Sequence, residues 1–403
     1  MRRFAALLAL LLPLTLAAQF VRVEGRKFIQ PDGSPLLIRG TNLGNWLVPE
    51  GYMWRLQDGP QSPREIEALV ESLLGPERAA AFWQQWRDRY VTADDLAFIA
   101  ATGANTVRVP LHYRLFLEPG GEGFRRLDQV VAWSRAAGLC LILDLHCAPG
   151  GQTGTNIDDS LGYPWLFESP AAQAQLLTVW RNLARHYRNE PAILGYDLLN
   201  EPLPGFPGWE RLKPRLEPLL HRVYAAVREI DPHHIIFLTG AHWDSDFSVL
   251  GPPPGPNTAY TFHKYWMPPT QASIQEYLDF RDRHNVPLYV GETGENKDEW
   301  VGEFRRLLET HDIGWTYWPY KKMESTAGFV RFAPPRHWDR IVAYAAASLR
   351  GTGSDAVKAA LAHRPTPAEI EECFADLLAK IELRHGEINP GYLQALGLKI
   401  PNR

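Results

Sequence analysis

The chain has 403 residues, with 45% hydrophobic and 22% charged side chains, the balance of a globular protein long enough for one large barrel or two ordinary domains. Its formal charge of −4 offers no basic surface, which argues against a nucleic-acid partner. With 14 Trp, 15 Tyr and 17 Phe it is rich in flat apolar faces, which suit ring-shaped ligands as well as cores.

Met1-Arg2-Arg3 is a positively charged start, and Phe4 to Leu16 is an apolar run interrupted only by Pro13 and Thr15. Ala17-Ala18 supply small residues for cleavage, so residues 1–18 read as a secretory signal and the protein is expected to be extracellular or periplasmic. That run is too short to span a bilayer comfortably, and no later segment is apolar for long enough, so no membrane span is expected. The three cysteines leave at least one unpaired. Cys140 and Cys147 bracket a single strand, which would hold them ~23 Å apart and beyond bridging; no disulfide is expected.

After the signal, Phe20 to Ile29 and the turn at Pro31-Asp32-Gly33 predict a small hairpin. Short apolar segments then alternate with longer amphipathic ones. The strands fall at Leu37–Arg39, Thr106–Val109, Leu139–Leu145, Leu194–Leu199, Ile235–Leu238, Tyr260–His263, Leu288–Gly291 and Trp315–Tyr317. Between them lie helices at Arg64–Leu74 with Glu77–Tyr90, Asp94–Ala101, Phe124–Ala137, Ala171–Arg188, Trp209–Ile230, Ile274–His284 and Glu299–Thr310. Strands alternating with helices, each strand apolar on both faces, imply an α/β fold with a closed parallel (β/α)8 barrel. An open doubly wound sheet is the competing architecture, but no Gly-rich phosphate loop follows the first strand. The barrel with its final helix Arg340–Leu349 is expected over residues 19–350. A helical extension over 351–403, containing Pro367–Arg384, is expected to pack on it.

In such barrels the chemistry collects where the strands end, so those residues are the ones to inspect. They are Arg108, Asp144-Leu145-His146, Asn200-Glu201, His263-Lys264-Tyr265, Glu292 and Trp318, each ending in a polar or aromatic residue. Glu201 and Glu292 are carboxylates on the fourth and seventh strands, which barrel closure brings to one mouth. Two carboxylates flanking a cleft are what glycoside hydrolysis needs, one donating a proton and the other stabilising or attacking an oxocarbenium-like centre. Asn200 could hold a sugar hydroxyl, Arg108 could keep a carboxylate ionised, and His146, His263 and Tyr265 could orient the pair. Alternation along the strand turns Lys264 away from His263 and Tyr265. Asn200 and Glu201 are adjacent, so both face the cleft only if the strand loosens before Pro202.

Each of these residues also has an ordinary reading: Arg108 as a barrel ion pair, His146 and His263 as core histidines, Asp144 and Asp197 as structural. Metal ligation by Asp144 and His146 is the other alternative, but no His-x-His or His-Glu-x-x-His spacing accompanies them. No cofactor and no metal are expected, and a monomer is.

Taken together, Arg108, His146, Asn200, Glu201, His263, Tyr265, Glu292 and Trp318 resemble the motif residues of glycoside hydrolase family 5, retaining β-glycosidases on a (β/α)8 barrel. The resemblance covers roughly Leu36 to Tyr320. It implies Glu201 as acid/base, Glu292 as nucleophile, carboxyl groups about 5–5.5 Å apart, Trp318 stacked beneath the sugar, and a cis bond between Trp318 and Pro319. Arg39 to Leu47 and Asp144 to Gln152 resemble the branch that contains exo-β-1,3-glucanases, and the likeness lapses from Thr155 to Asp159. Cleavage of β-1,3- or β-1,4-glucan is therefore expected, with β-mannan, a glycolipid glycoside or a non-catalytic carbohydrate-binding barrel as alternatives. The loops Leu47–Pro60 and Cys147–Leu166 could wall off one end of the cleft, a closed pocket giving exo action and an open groove endo action. Trp46, Trp54, Trp165, Trp243 and Trp266 lie in loops on the mouth side and are candidate stacking platforms, Trp46 foremost.

Overall fold

The computed structural model describes residues 19–160, 162–348, 351 and 353–401. The export signal expected over residues 1–18 lies outside them. Eight parallel strands close into a barrel: β1 (Arg39–Asn42), β2 (Thr106–His112), β3 (Cys140–Cys147), β4 (Ile193–Asp197), β5 (Ile235–Thr239), β6 (Thr258–His263), β7 (Leu288–Glu292) and β8 (Gly314–Tyr317). β8 pairs back onto β1, with Trp315 opposite Arg39 and Tyr317 opposite Thr41. This is the architecture the alternation of elements predicts. All three cysteines are free.

Helix boundaries follow local chemistry. Ser62 and Glu65 form a capping box before Pro63–Leu74, and Thr92 with Asp95 does the same before Ala93–Ala101. Gly138, in the left-handed conformation at φ 72°, ends Glu122–Ala137. The helix expected over Trp209–Ile230 divides into a 3-10 turn, Glu210–Arg215, and an α-helix, Leu216–Arg228. Pro214 lies in the 3-10 turn, and a proline amide cannot donate in a continuous α-helix.

Two strands differ instructively from expectation. β1 runs over Arg39–Asn42 rather than Leu37–Arg39, because polar residues are satisfied inside the barrel. Thr41 Oγ1 donates to Tyr317 O at 3.0 Å, and Asn42 Nδ2 donates to Gly291 O and Thr316 O at 3.1 Å each. β4 leaves the ladder after Asp197 rather than at Leu199, and Glu201 then takes a left-handed backbone, φ 46°.

The two ends of the barrel are treated differently. The hairpin strands Arg22–Glu24, Lys27–Ile29 and Pro35–Leu36 form a separate small sheet. Val21, Phe28 and Ile38 pack there with Ile142, Leu194, Ile235 and Tyr289 from the barrel strands, closing the N-terminal end with an apolar plug. The C-terminal end is left to loops. After β8 the chain adds a three-stranded sheet, Lys321–Met323 with Val330–Phe332 and Glu387–Ile388, and the helix Trp338–Ser348. Beyond it a helix over Ser354–His363, within the extension expected to be helical, precedes Pro367–Lys380. Pro367–Lys380 docks on Pro76–Tyr90: Phe374 meets Phe82 edge to face at 5.1 Å, and Arg78 pairs with Glu371 at 2.7 Å. No helix among the described residues is long and apolar enough to cross a membrane.

Phe374 is buried in this contact. Phe374→Ala is expected to cost about 3–5 kcal/mol by leaving a cavity, measured as a lowered denaturant midpoint. A loss under about 1 kcal/mol would show that the C-terminal helix is not integral to the folded unit.

Candidate active site

Arg108 is wholly buried inside the barrel, and its guanidinium makes four hydrogen bonds. Nε donates to Asp197 Oδ2 at 2.9 Å, and one terminal nitrogen donates to Asn42 Oδ1 at 3.1 Å and Glu292 Oε1 at 2.6 Å. The other donates to Asn200 Oδ1 at 2.9 Å and stands 3.0 Å from Asp144 Oδ1. Residues from β1, β3, β4 and β7 are thus fastened to one planar fork carried by β2. Asp144 and Asp197, expected to be structural, are its main counter-charges in the barrel interior.

Above this layer a cleft of about 710 Å³ opens, lined by Glu50, Tyr52, His146, Glu201, His263, Tyr265, Glu292 and Trp318 among others. The oxygen atoms of Glu201 and Glu292 approach within 4.8 Å of each other. His263 Nδ1 shares a hydrogen with Glu201 Oε1 at 2.8 Å, and Tyr265 Oη donates to Glu292 Oε2 at 3.2 Å. His146 Nδ1 bonds Asp144 Oδ2 at 2.8 Å, and its ring lies parallel to that of Trp318, 5.4 Å away. Trp318 Nε1 donates to Tyr52 Oη at 2.6 Å, and the Trp318–Pro319 bond is cis.

Two glycines make this packing possible. A Cβ at Gly44 would stand 2.6 Å from the Trp318 ring, and one at Gly291 would stand 2.8 Å from His263 Nε2. Both would drive a catalytic-layer side chain out of place.

Burial sets the protonation of the cluster. It pushes Asp144 and Asp197 up to about 7 despite the pull of Arg108. It pushes His146 down to about 4 and His263 well below its ordinary value, so both imidazoles are neutral. Glu201 is raised well above the usual carboxylate range, by burial first and then by Glu292, Asp244 and Glu50. Glu292 is also raised by burial, but Arg108 opposes the shift. One guanidinium cannot neutralise all these carboxyls, so negative charge settles where its contact is shortest, on Glu292. The two carboxyl groups are therefore unequal, with Glu201 holding the proton.

Sequence reasoning missed several participants. Asp244 follows β5 in a run of left-handed residues, His242, Trp243 and Asp244 at φ 52°, 54° and 62°, a conformation costing about 1–2 kcal/mol per residue. The run turns Trp243 to the cleft and Asp244 under Glu201, whose backbone amide donates to the Asp244 carboxylate. Glu50 is buried on the cleft wall with Oε1 unpartnered. No local pattern marks either residue.

Among the tryptophans the expectations divide. Trp243 and Trp266 line the cleft, 37% and 72% exposed. Trp46 is a correction: it is buried and its indole donates to Arg87 O at 2.9 Å, so it is a packing residue that offers no ring to the cleft. Trp54 is likewise buried, stacked 4.6 Å from Trp86. Trp165 is exposed but packs on Tyr163 instead. Lys264 borders the cleft with its ammonium directed at Glu276 and the Tyr277 ring. The glutamate side is apolar where Phe206, in the loop after Glu201, meets Trp243 edge to face at 5.4 Å.

Asp144, His146 and Glu292 gather donor atoms within 4.8 Å, as do Glu201, His263 and Glu292. Among the described residues these two trios are positions where a cation could sit, though Arg108 already supplies positive charge to Asp144 and Glu292.

The model of the cellulase family, glycosyl hydrolase family 5, matches residues 72–324, and the chain belongs to that family. A β-xylosidase of Phanerodontia chrysosporium is 32% identical over 293 residues, covering 70% of this chain and 59% of its own length. A probable glucan 1,3-β-glucosidase A of Aspergillus fumigatus is 30% identical over 238 residues, 57% of this chain and 56% of its own. The chain thus spans little more than half the length of these relatives. In fold it is similar to the rutinosidase from Aspergillus niger, with TM-score 0.57, 18% identity, and 72% of this chain and 92% of that one covered.

Arg108→Lys keeps the charge but loses the planar fork. It is expected to lower kcat/KM on an aryl β-glycoside by about 10²–10³-fold with circular dichroism unchanged; a fall under about threefold would detach Arg108 from the reaction.

Proposed function

We propose that the chain is an exported retaining β-glycosidase that hydrolyses β-glucosidic bonds in β-glucans by double displacement. The observation that carries this reading is the pair Glu201 and Glu292, facing each other within 4.8 Å across one cleft in unequal electrostatic surroundings. Retaining enzymes need carboxyl groups about 5–5.5 Å apart, whereas an inverting pair needs about 6.5–9.5 Å to seat a water between them.

In the first step the protonated Glu201 gives its proton to the glycosidic oxygen while ionised Glu292 attacks the anomeric carbon. The bond to the leaving oxygen breaks and a glycosyl ester forms on Glu292. In the second step Glu201, now a carboxylate, takes a proton from water as that water displaces Glu292. His263 holds Glu201 from the side and Asp244 holds its backbone. Arg108 and Tyr265 stabilise the carboxylate of Glu292 when it departs. Asn200 is kept in place by Arg108 and by Leu145 O, and Trp318, which lines the cleft, offers its face to the ring.

The relatives' names include both a glucosidase and a xylosidase. The sugar and linkage are tested by hydrolysis of β-1,3-, β-1,4- and mixed-linkage glucans, β-xylan and β-mannan in parallel. The expected outcome is turnover of a β-glucan; turnover of mannan alone would replace the glucan assignment.

Activity requires Glu292 ionised and Glu201 protonated, so kcat/KM falls below the pKa of Glu292 and again above that of Glu201. Glu201→Gln is expected to remove the alkaline limb of the profile. Glu292→Ala should abolish turnover, and azide, entering from the vacated side, should then yield a glycosyl azide of inverted configuration from an aryl glycoside. Near-normal activity in Glu292→Ala would eliminate the mechanism.

A further inference from the structure

We propose that Tyr52, Glu295 and Lys322 form the end wall of the glycone subsite, so that the enzyme removes single sugar units from the non-reducing end of its substrate. The inference rests on the retaining reading above and deepens it to a mode of action.

Two cavities meet at this wall. Tyr52 and Glu295 line the catalytic cleft. Tyr52 and Lys322 line a second cavity of about 270 Å³, together with Arg55, Gln57 and Glu324. Those last three residues also border a third cavity, of about 500 Å³, that runs beside Trp338. The cleft and the second cavity share Tyr52, so the phenol ring and the ion pair behind it stand between them.

The wall is assembled from three separate segments. Tyr52 comes from the turn Gly51–Trp54, Lys322 from the strand Lys321–Met323, and Glu295 from the loop after β7. The Lys322 ammonium lies 4.1 Å from the centre of the Tyr52 ring and is paired with Glu295. Tyr52 Oη accepts from Trp318 Nε1 at 2.6 Å, and Glu295 O accepts from Trp266 Nε1 at 3.3 Å. Contacts this close leave no passage for a pyranose ring. Lys322 and Glu295 are both largely buried, at 14% and 17% side-chain exposure, so the pair is held in place rather than swinging in solvent.

The side on which the wall stands follows from the catalytic roles. Glu201 must face the leaving group, and its loop continues into Phe206 and the aromatic contact with Trp243. Tyr52 is anchored instead to Trp318, the ring beneath the sugar that becomes bound to Glu292. A sugar in that position has the wall beyond it and no room for a second unit upstream.

The test uses β-1,3- and β-1,4-linked glucose hexasaccharides labelled at the reducing end, with initial products resolved by length. The wild-type enzyme is expected to release unlabelled monosaccharide and leave labelled pentasaccharide. Lys322→Ala and Lys322→Ala/Glu295→Ala join the cleft to the cavity behind, and the ratio of disaccharide to monosaccharide is expected to rise about tenfold or more. Lys322→Arg, which keeps the ion pair, is expected to retain the monosaccharide pattern. The ratio is read only from molecules that turn over, so it is independent of specific activity. Disaccharides or longer fragments as initial wild-type products would overturn the wall, as would opened variants that remain active and release monosaccharide alone. If both opened variants are inactive, the wild-type product pattern decides. A wild-type enzyme that cleaves no β-glycoside at all, aryl glycosides included, overturns the retaining reading and the wall with it.

Discussion

Everything in the cleft is referred to one buried cation. Arg108 sits where a guanidinium would be prohibitively desolvated without counter-charges, and the barrel supplies Asp144, Asp197 and Glu292 from three different strands. Its planar fork turns a charge balance into a geometry, because each donor selects one acceptor and one direction. Asn42 and Asn200 occupy the two remaining neutral positions. Removing any one acceptor would leave either a buried donor unpaired or a buried charge unbalanced, so the layer behaves as a unit rather than as separate pairs.

The unequal carboxyls follow from that layer. Glu292 touches Arg108, whereas Glu201 is separated from it and surrounded by other acidic groups and a neutral histidine. Burial raises both carboxyls, but the neighbouring charges differ, so the two are unequal where free carboxyls would both be ionised at neutral pH. The cost is visible in the backbone. Glu201 and the residues from His242 to Asp244 hold left-handed conformations that only the surrounding packing enforces. An apolar plug at the opposite end of the barrel and the C-terminal helices outside it supply stability away from this strained face.

How much of this was legible in the sequence depends on the kind of signal. Glu201 and Glu292 were readable because short apolar runs end in them, and alternation with helices implies one barrel mouth. Arg108 and His146 were readable for the same reason, although β2 and β3 extend further than their apolar cores suggest. β1 was displaced because Thr41 and Asn42 look like loop residues until their cross-barrel hydrogen bonds are seen. Trp46 was misplaced because position in a loop says nothing about which way an indole turns, and here it turns into the layer of Trp86 and Arg87.

The sequence by itself determined the barrel and the family, since each is carried by local runs and by residue types in order along the chain. The tertiary structure alone decided which groups surround each carboxyl and that Tyr52, Glu295 and Lys322 meet beside the cleft. Those depend on groups far apart in sequence, such as Tyr52 against Lys322 and Arg108 against Glu292, whose Coulomb and contact energies exist only once the barrel has closed. Nothing local anticipates Asp244 beneath Glu201, because the left-handed turn that puts it there is held by packing rather than by its own residues.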